Sequence, residues 1–340
     1  MSIKSKLTSP SLQSAALVAL AALLLWLFFR GTDVGAIRES LTHAKPSLIV
    51  AAVLTTLVTY FLRALRWRFL LTPLGKAGLG NCFSTTVIGF MVNFLAGRLG
   101  EVARPYLLAR REGFSASSTF ATVFLERILD LVTVVTLIAF WLLVSPPRAS
   151  SEEAISSLKL GGLLGLVAAV VALSILFVLA RFPERTLRWA KKAYRILPRR
   201  LEEGAARFTE TFAAGLAVLV DGTTLFWAGV MSLALWVNIA FAFWLGALAL
   251  GVAFPFGDTF LVIGFLTIGV AVPTPGAVGG YHVMCALGLT MLFGTDASLA
   301  KAVALVNHAV AFLPVTLLGM VLFFRAGLSF RQVKTITSSS

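Results

Sequence analysis

Long apolar runs separated by short polar segments dominate the 340-residue sequence. A helix that crosses a bilayer needs about 20 mostly apolar residues. Six unbroken runs meet this requirement, at 12–29, 46–66, 116–144, 159–181, 223–250 and 298–325. They predict an all-α polytopic membrane protein with a single membrane domain over 1–340. The first run follows Lys4 and Lys6 without a clear small-residue cleavage site, so we interpret it as a retained span.

Two further apolar stretches, 80–112 and 258–294, are interrupted by helix-breaking residues. Glycine tolerates unusual backbone angles, and proline removes a backbone donor. We therefore predict that each stretch is a re-entrant helical hairpin that returns to the side it entered. The residues expected to shape the two turns are Asn93, Gly97, Gly100, Pro273, Pro275, Gly276 and Gly279.

Composition and charge narrow the class of protein further. Hydrophobic residues make up 58% of the chain and charged residues 13%, against about 25% charged in soluble domains. This excludes a soluble enzyme and a disordered protein. The net charge of +14 would fit a nucleic-acid binder, but with a cytoplasmic N-terminus and two hairpins, 21 of the 29 Lys and Arg fall in cytoplasmic segments. This positive-inside bias predicts a cell-membrane protein with both termini in the cytoplasm and no nucleic-acid partner.

The basic segment 182–220 is the longest charged part of the chain. Trp189, Ala193 and Ile196 recur at helical spacing among Lys and Arg. Two interpretations stay open. The segment is either an interfacial helix attracted to anionic lipid headgroups or a solvated connector whose charge only sets topology.

The two broken stretches resemble each other, together with the runs that follow them. Gly97-x-x-Gly100-Glu101, Gly113-Phe-Ser-Ala-Ser and Glu126-Arg127 have counterparts in Gly276-x-x-Gly279-Gly280, Gly294-Thr-Asp-Ala-Ser and Asn307-His308. The predicted topology gives the two units, 77–144 and 258–325, opposite orientations. This predicts an inverted-topology repeat, the plan of many secondary transporters, whose sites lie near the membrane midplane.

Ionisable residues inside spans cost roughly 2.5–3.5 kcal/mol each, so they mark candidate sites. Those of the first unit are Arg98, Glu101, Arg104, Glu126, Arg127 and Asp130. These three cations and three anions would suit either a self-neutralising ion-pair network or a cavity whose arginines bind a phosphate headgroup. The second unit adds the candidates His282, Asn307 and His308, although such residues also serve as interhelical contacts. Arg63, Arg66 and Trp67 end the second run and are interpreted as an interfacial anchor or, alternatively, a headgroup contact.

The motifs together resemble the transmembrane part of lysylphosphatidylglycerol synthases, a flippase-like family, over nearly the whole chain. The residues that carry the resemblance are Asn93-Phe-Leu-x-Gly97-Arg98-x-Gly100-Glu101-x-x-Arg104, Glu126-Arg127-x-x-Asp130, Pro273-x-Pro275-Gly276-x-x-Gly279 and Arg63-x-x-Arg66-Trp67. The resemblance implies a role in lipid translocation. In the multiple peptide resistance factor this membrane part is coupled to a cytosolic aminoacyl-transferase domain. That domain has no counterpart in these 340 residues, so no enzymatic activity is expected, and a separate synthase is a conceivable partner.

One departure from the family bears on the substrate. Gly280-Tyr281-His282 stands where many members carry a glutamate, so the headgroup could differ from lysylphosphatidylglycerol. We expect a transporter of an anionic phospholipid or glycolipid-type amphiphile, with no metal or cofactor, since neither metal-ligand spacing nor a Gly-Lys-Ser/Thr phosphate loop occurs. The alternatives are a membrane-embedded enzyme or an accessory subunit in lipid-phosphate or lipid-linked glycan metabolism. The sequence predicts no oligomeric state.

Overall fold

A computed structural model describes residues 10–31, 33–145, 152–194 and 199–328, and the regular secondary structure in this part of the chain is all helical, without strands. The predicted spans are confirmed as helices, with ends within a few residues of the expected ones except at the start of α7. They are α1 Pro10–Phe29, α3 Pro46–Leu70, α6 Ala116–Val144, α7 Glu152–Arg181, α10 Gly222–Ala249 and α13 Ala297–Arg325. A short helix, α2 Val34–Thr42, lies between the first two. Lys4, Lys6 and the end of the chain after Leu328 lie outside the described residues.

The first broken stretch forms a helical hairpin. Helix α4 runs over Leu79–Ala96, a short 3-10 turn covers Gly97–Leu99, and α5 runs over Gly100–Glu112. At the open end, Glu112 Oε1 accepts hydrogen bonds from the Gly78 backbone N–H at 3.0 Å and from Asn81 Nδ2 at 2.7 Å. Residues 79–112 are long and apolar enough to cross a membrane, but these contacts show that they fold back on themselves.

The second broken stretch folds in the same way. Helices α11 Thr259–Ala271 and α12 Gly280–Phe293 pack side by side, and the rings of Phe254 and Phe293 stack 4.5 Å apart at the open end. Residues 275–293 taken together are long and apolar enough to be a candidate span. Helices α11 and α12, of 13 and 14 residues, are each roughly 20 Å long, which is short of a hydrocarbon core of about 30 Å. In the turn, Gly276 has a φ of 61° and lies against the Phe94 ring of the first hairpin. The two hairpin turns therefore meet inside the helix bundle.

Shared local features support the similarity of the two units. In each hairpin two glycines 11 positions apart, Gly89 with Gly100 and Gly269 with Gly280, bring the helices into close backbone contact. Each hairpin also ends at a left-handed glycine, Gly113 or Gly294, directly before a 29-residue helix. Three points stay predictions: the inverted orientation of the two units, the return of each hairpin to its own membrane face, and the cytoplasmic location of the termini.

The basic segment forms α8 Pro183–Tyr194 and α9 Arg199–Gly215. Helix α9 docks on the bundle, because Ser118 Oγ of α6 donates to the Thr211 carbonyl at 2.5 Å and Gly215 lies against the Ser118 carbonyl. A purely solvated connector is therefore wrong for α9. Trp189 of α8 is exposed, and the attraction of this helix to lipid headgroups stays a prediction.

The tight contact in the first hairpin gives a stability prediction. A Cβ atom on Gly100 would lie 1.9 Å from the Gly89 carbonyl oxygen, so Gly100→Ala must push the two helices apart. We expect a loss of about 1–3 kcal/mol in the free energy of unfolding, measured by denaturant unfolding in detergent micelles. In the matched control, Gly161→Ala, the new Cβ meets no atom within 4 Å and stability should hold or rise slightly. Equal effects of the two substitutions would contradict the close packing.

Candidate functional site

A polar stripe runs along the inner face of α3. Thr56, Thr59, Tyr60, Arg63, Arg66 and Trp67 recur at intervals of three and four residues and are all buried. Arg66 and Trp67 have no exposed surface. The interpretation of these two residues as an interfacial anchor is therefore wrong. The helical recurrence of polar residues upstream of Arg63 is the sequence signal that favours a protein-facing position.

Arg66 is the centre of a buried ionic cluster. Its Nη1 donates to Asp130 Oδ1 at 2.6 Å and to Ser232 Oγ of α10 at 3.0 Å, and its Nη2 lies 3.6 Å from Glu126 Oε1. Trp236 Nε1 donates to the same Asp130 oxygen at 3.0 Å. Three helices, α3, α6 and α10, are therefore joined through one arginine and one aspartate.

Arg104 of the first hairpin joins the cluster from the other side. Its Nη1 donates to Glu126 Oε2 at 2.6 Å, and its guanidinium carbon lies 3.8 Å from the centre of the Trp67 ring. Trp67 in turn donates from Nε1 to Thr122 Oγ1 at 2.9 Å. Separating a buried, hydrogen-bonded ion pair is costly. The pair of Arg104 and Glu126 therefore fixes the hairpin to α6.

Two further arginines face the second oxygen of Asp130. Arg127 Nη2 lies 3.3 Å and Arg63 Nη1 lies 3.8 Å from Asp130 Oδ2. These separations are ion pairs rather than hydrogen bonds. The buried atoms Arg63 Nε, Arg63 Nη1 and Arg127 Nε have no hydrogen-bond partner among the described residues. Both arginines therefore retain hydrogen-bonding capacity that the protein does not use.

A cavity of about 370 Å³ opens beside these two arginines. Its polar end is formed by Arg63, Arg127 and Asp130, which meet at Asp130 Oδ2. Most of the remaining wall is apolar or aromatic, with the polar residues Thr56, Thr59, Thr267 and Asn307 among it. Other lining residues include Phe90, Leu131, Val134, Trp236, Ile239, Phe243, Ile263, Leu266, Tyr281, Val310, Ala311 and Phe312. The volume lies within the usual range of small-molecule sites. A cavity with a cationic end and an apolar wall matches the two parts of an amphiphile.

The cavity lies at the mid-length of the long helices. Asp130 is the middle residue of α6, and Ala311 is the middle residue of α13. Both helices are long enough to cross a bilayer. A site halfway along two spanning helices is where secondary transporters bind their substrates.

Some of the predicted site residues line the cavity or lie next to it, and others lie elsewhere. Arg127, Asp130 and Asn307 line it, and Arg104 and Glu126 lie behind it in the ionic cluster. Arg98 does not reach the cluster, since its Nη2 donates to the Ala271 carbonyl at the end of α11, at 2.7 Å. Glu101 makes none of the cluster's ion pairs, which involve Arg63, Arg66, Arg104, Arg127, Glu126 and Asp130. The expected balance of three cations and three anions is therefore wrong.

The membership of the cluster also changes the charge count along the chain. Arg63, Arg66 and Arg104 are buried between helices rather than exposed in cytoplasmic segments. They do not contribute to the positive-inside signal as expected. Even when these three arginines are not counted, the predicted cytoplasmic segments hold clearly more Lys and Arg than the outer segments.

His282 and His308 form a separate pair at the second hairpin turn. Their ring centroids are 4.4 Å apart, and both side chains are buried. His308 Nε2 is 2.8 Å from the Gly276 carbonyl, and the Gly279 backbone N–H lies 3.3 Å from His282 Nδ1. Neither histidine lines the cavity. Their contacts in this structure hold the turn, whereas headgroup contact stays a prediction.

The remaining turn residues pack as shape-forming elements. Asn93 lies against Gly100, where an added Cβ would approach Asn93 Oδ1 to 2.6 Å. Pro273 precedes the short turn Pro275–Ala277, which lies between α11 and α12. In the described part of the chain, Cys82 and Cys285 are free and buried, and no group of three or more His, Cys, Asp or Glu could hold a metal ion.

Comparisons with known proteins agree with this architecture. The sequence profile described as the lysylphosphatidylglycerol synthase TM region matches residues 14–319. The chain is 28% identical to the glycosyltransferase AglD of Haloferax volcanii over 86% of its own length, but it spans only 51% of that protein. It is 24% identical to a UPF0104 membrane protein of Methanothermobacter thermautotrophicus, over 89% of this chain and 91% of that one. The alignment with a UPF0104 membrane protein of Methanocaldococcus jannaschii has 28% identity and covers 26% of this chain and 28% of that protein.

Proposed function

The chain belongs to the family of lysylphosphatidylglycerol synthase TM regions, and we propose that it moves an amphiphile with an anionic headgroup across the cell membrane. The headgroup binds Arg63 and Arg127 at the polar end of the cavity. The hydrocarbon part lies against the apolar wall between the two hairpins. The family description and the glycosyltransferase name of one relative support a membrane protein of lipid or glycan metabolism.

One observation carries this proposal. Arg63 and Arg127 share one oxygen of Asp130 and line a largely apolar cavity at the mid-length of the long helices. A purely structural network would balance each of its arginines with a carboxylate of its own. Guanidinium groups bind phosphate oxygens strongly and in a fixed geometry, so an anionic headgroup satisfies what the protein leaves open.

Movement of the two hairpins would provide access from either side. Their turns meet through Phe94 and Gly276 and through the bond from Arg98 to the Ala271 carbonyl. Separating the two units would also have to release the packing of Gly319 of α13 on Met91 of α4. Rocking of one unit against the other is the general mode of transporters built from repeats.

The direct test is reconstitution into vesicles that contain a headgroup-labelled anionic phospholipid. The wild-type protein should transfer the label between leaflets faster than protein-free vesicles do. Arg63→Ala and Arg127→Ala should each slow transfer about tenfold, because each removes hydrogen bonds to a charged group worth roughly 1.5 kcal/mol. The measurement is the rate at which label becomes accessible to a membrane-impermeant quencher.

The control for these variants is Arg188→Ala in α8, an exposed arginine outside the cavity. Its transfer rate should equal that of the wild type. Transfer at the protein-free rate by the wild type, with several anionic lipids tested, would overturn the proposal. Equal slowing by all three variants would show that the cavity arginines have no special role.

A second candidate function is supported by the alignment with AglD, half of which this chain covers. The chain could serve as a membrane-embedded enzyme or an accessory subunit in lipid-linked glycan metabolism. Product formed by the purified protein from a polyprenyl phosphate and nucleotide sugars would favour the enzyme. A stable complex with a separately encoded synthase, insensitive to Arg63→Ala and Arg127→Ala, would favour the accessory role.

A further inference from the structure

The ionic cluster carries more positive than negative charge. Four arginines and two carboxylates are linked by its ion pairs: Arg63, Arg66, Arg104, Arg127, Glu126 and Asp130. Two of the pairs are short and fully buried, Arg66 with Asp130 and Arg104 with Glu126, both at 2.6 Å. Each of these pairs is neutral as a unit. The surplus of two positive charges therefore belongs to Arg63 and Arg127.

Both surplus arginines lie on the wall of the cavity, whereas Arg66 and Arg104 do not. Arg63 is 9% exposed and shares with Arg127 only the second oxygen of Asp130. Neither has a carboxylate of its own among the described side chains. A buried cation without a counter-charge is costly, which applies to Arg63, whereas the Arg127 side chain is 38% exposed. The two surplus positive charges on the cavity wall favour a ligand that brings two negative charges.

The charge of the headgroup decides how well it matches the two surplus arginines. A phosphate monoester carries about −1.5 to −2 charge at pH 7 and offers three acceptor oxygens. A phosphodiester brings one negative charge, and an aminoacylated phosphatidylglycerol adds a cation beside two arginines. The apolar remainder of the wall suits a hydrocarbon chain and not a free phosphate ion.

We infer that the cavity selects amphiphiles that end in a phosphate monoester over phosphodiester and aminoacylated lipids. This inference rests on the proposed function and narrows its substrate class. Phosphatidic acid and a polyprenyl phosphate are probes of that class. The selection follows from the two surplus charges, so removing one of them should weaken the discrimination itself and not only the affinity.

Native mass spectrometry of the purified protein in detergent tests the inference. The probes are phosphatidic acid, phosphatidylglycerol, lysylphosphatidylglycerol and phosphatidylcholine with identical acyl chains. Phosphatidic acid should bind at least about tenfold more tightly than phosphatidylglycerol. Lysylphosphatidylglycerol should bind more weakly than phosphatidylglycerol. Millimolar inorganic phosphate should leave the phosphatidic acid complex intact.

Arg127→Gln is the informative variant, because Arg127 is 38% exposed and its loss leaves the Arg66–Asp130 pair in place. The preference for phosphatidic acid over phosphatidylglycerol should fall to about twofold. Arg63→Gln, a second variant on another helix, should give the same result. Arg38→Gln on α2, an exposed arginine outside the cavity, is the control and should keep the full preference.

The outcomes separate the inference from the proposed function. Equal binding of phosphatidic acid and phosphatidylglycerol, both tighter than phosphatidylcholine, would overturn the inference and leave an anionic amphiphile as substrate. Equal binding of all four lipids would overturn both. Displacement of phosphatidic acid by inorganic phosphate would assign the site to a soluble phosphate and overturn the inference.

Discussion

Asp130→Asn is expected to lower the free energy of unfolding by about 3–5 kcal/mol, because it removes a counter-charge from three buried or half-buried arginines. Asp130 binds Arg66 at 2.6 Å and lies within 4 Å of Arg63 and Arg127. Asparagine can accept a hydrogen bond, but it cannot neutralise a guanidinium group. The measurement is denaturant unfolding in detergent micelles, followed by circular dichroism.

A second substitution tests whether charge is the cause. Removing both members of a buried pair is often neutral when volume is kept, so Asp130→Asn with Arg66→Met should recover much of the lost stability. Glu184→Gln in α8 is the control, since this exposed carboxylate lies outside the cluster, and its effect should stay within about 0.5 kcal/mol. A double variant that is less stable than Asp130→Asn would contradict the electrostatic explanation.

Ala311→Trp is expected to stop lipid transfer while the protein stays folded. Ala311 lines the cavity at the middle of α13, and an indole ring there would occupy space that the amphiphile needs. The cavity of about 370 Å³ has room for the ring, so the loss of stability should be small. The transfer rate in vesicles should fall to that of protein-free membranes.

The matched control lies on the outer face of the same helix. Leu317 is an exposed apolar residue of α13, and Leu317→Trp adds an aromatic ring where the chain faces lipid. Its transfer rate should equal that of the wild type. If Ala311→Trp transfers lipid at the wild-type rate, the substrate does not pass through this cavity.

The architecture could be predicted from the sequence because the signals are local. An apolar run of 20 or more residues fixes a spanning helix through the cost of burying backbone polar groups in lipid. The breaks at Gly97–Gly100 and Pro273–Gly280 mark hairpin turns because glycine and proline interrupt helical hydrogen bonding. Both the spans and the turns lie where those rules place them.

The identity of the site residues could be predicted only in part. Glu126, Arg127 and Asp130 share one helix, so their proximity follows from helical spacing. The sequence alone predicts that Arg63 and Arg66 are boundary residues, because arginine and tryptophan at the end of an apolar run are typical of an interface. What distinguishes them is the buried polar stripe of α3, which begins at Thr56.

The sequence by itself determined the fold class, the spans and the two hairpins, since hydrophobicity and helix breaking act over neighbouring residues. The tertiary structure decided which charges meet. Arg66 is 64 positions from Asp130 and 166 from Ser232, and Trp236 is 106 from Asp130. Only helix packing brings such residues together, and it replaces the neutral set expected from the sequence with a cluster of four arginines and two carboxylates. The surplus charge on the cavity wall is thus a property of the fold.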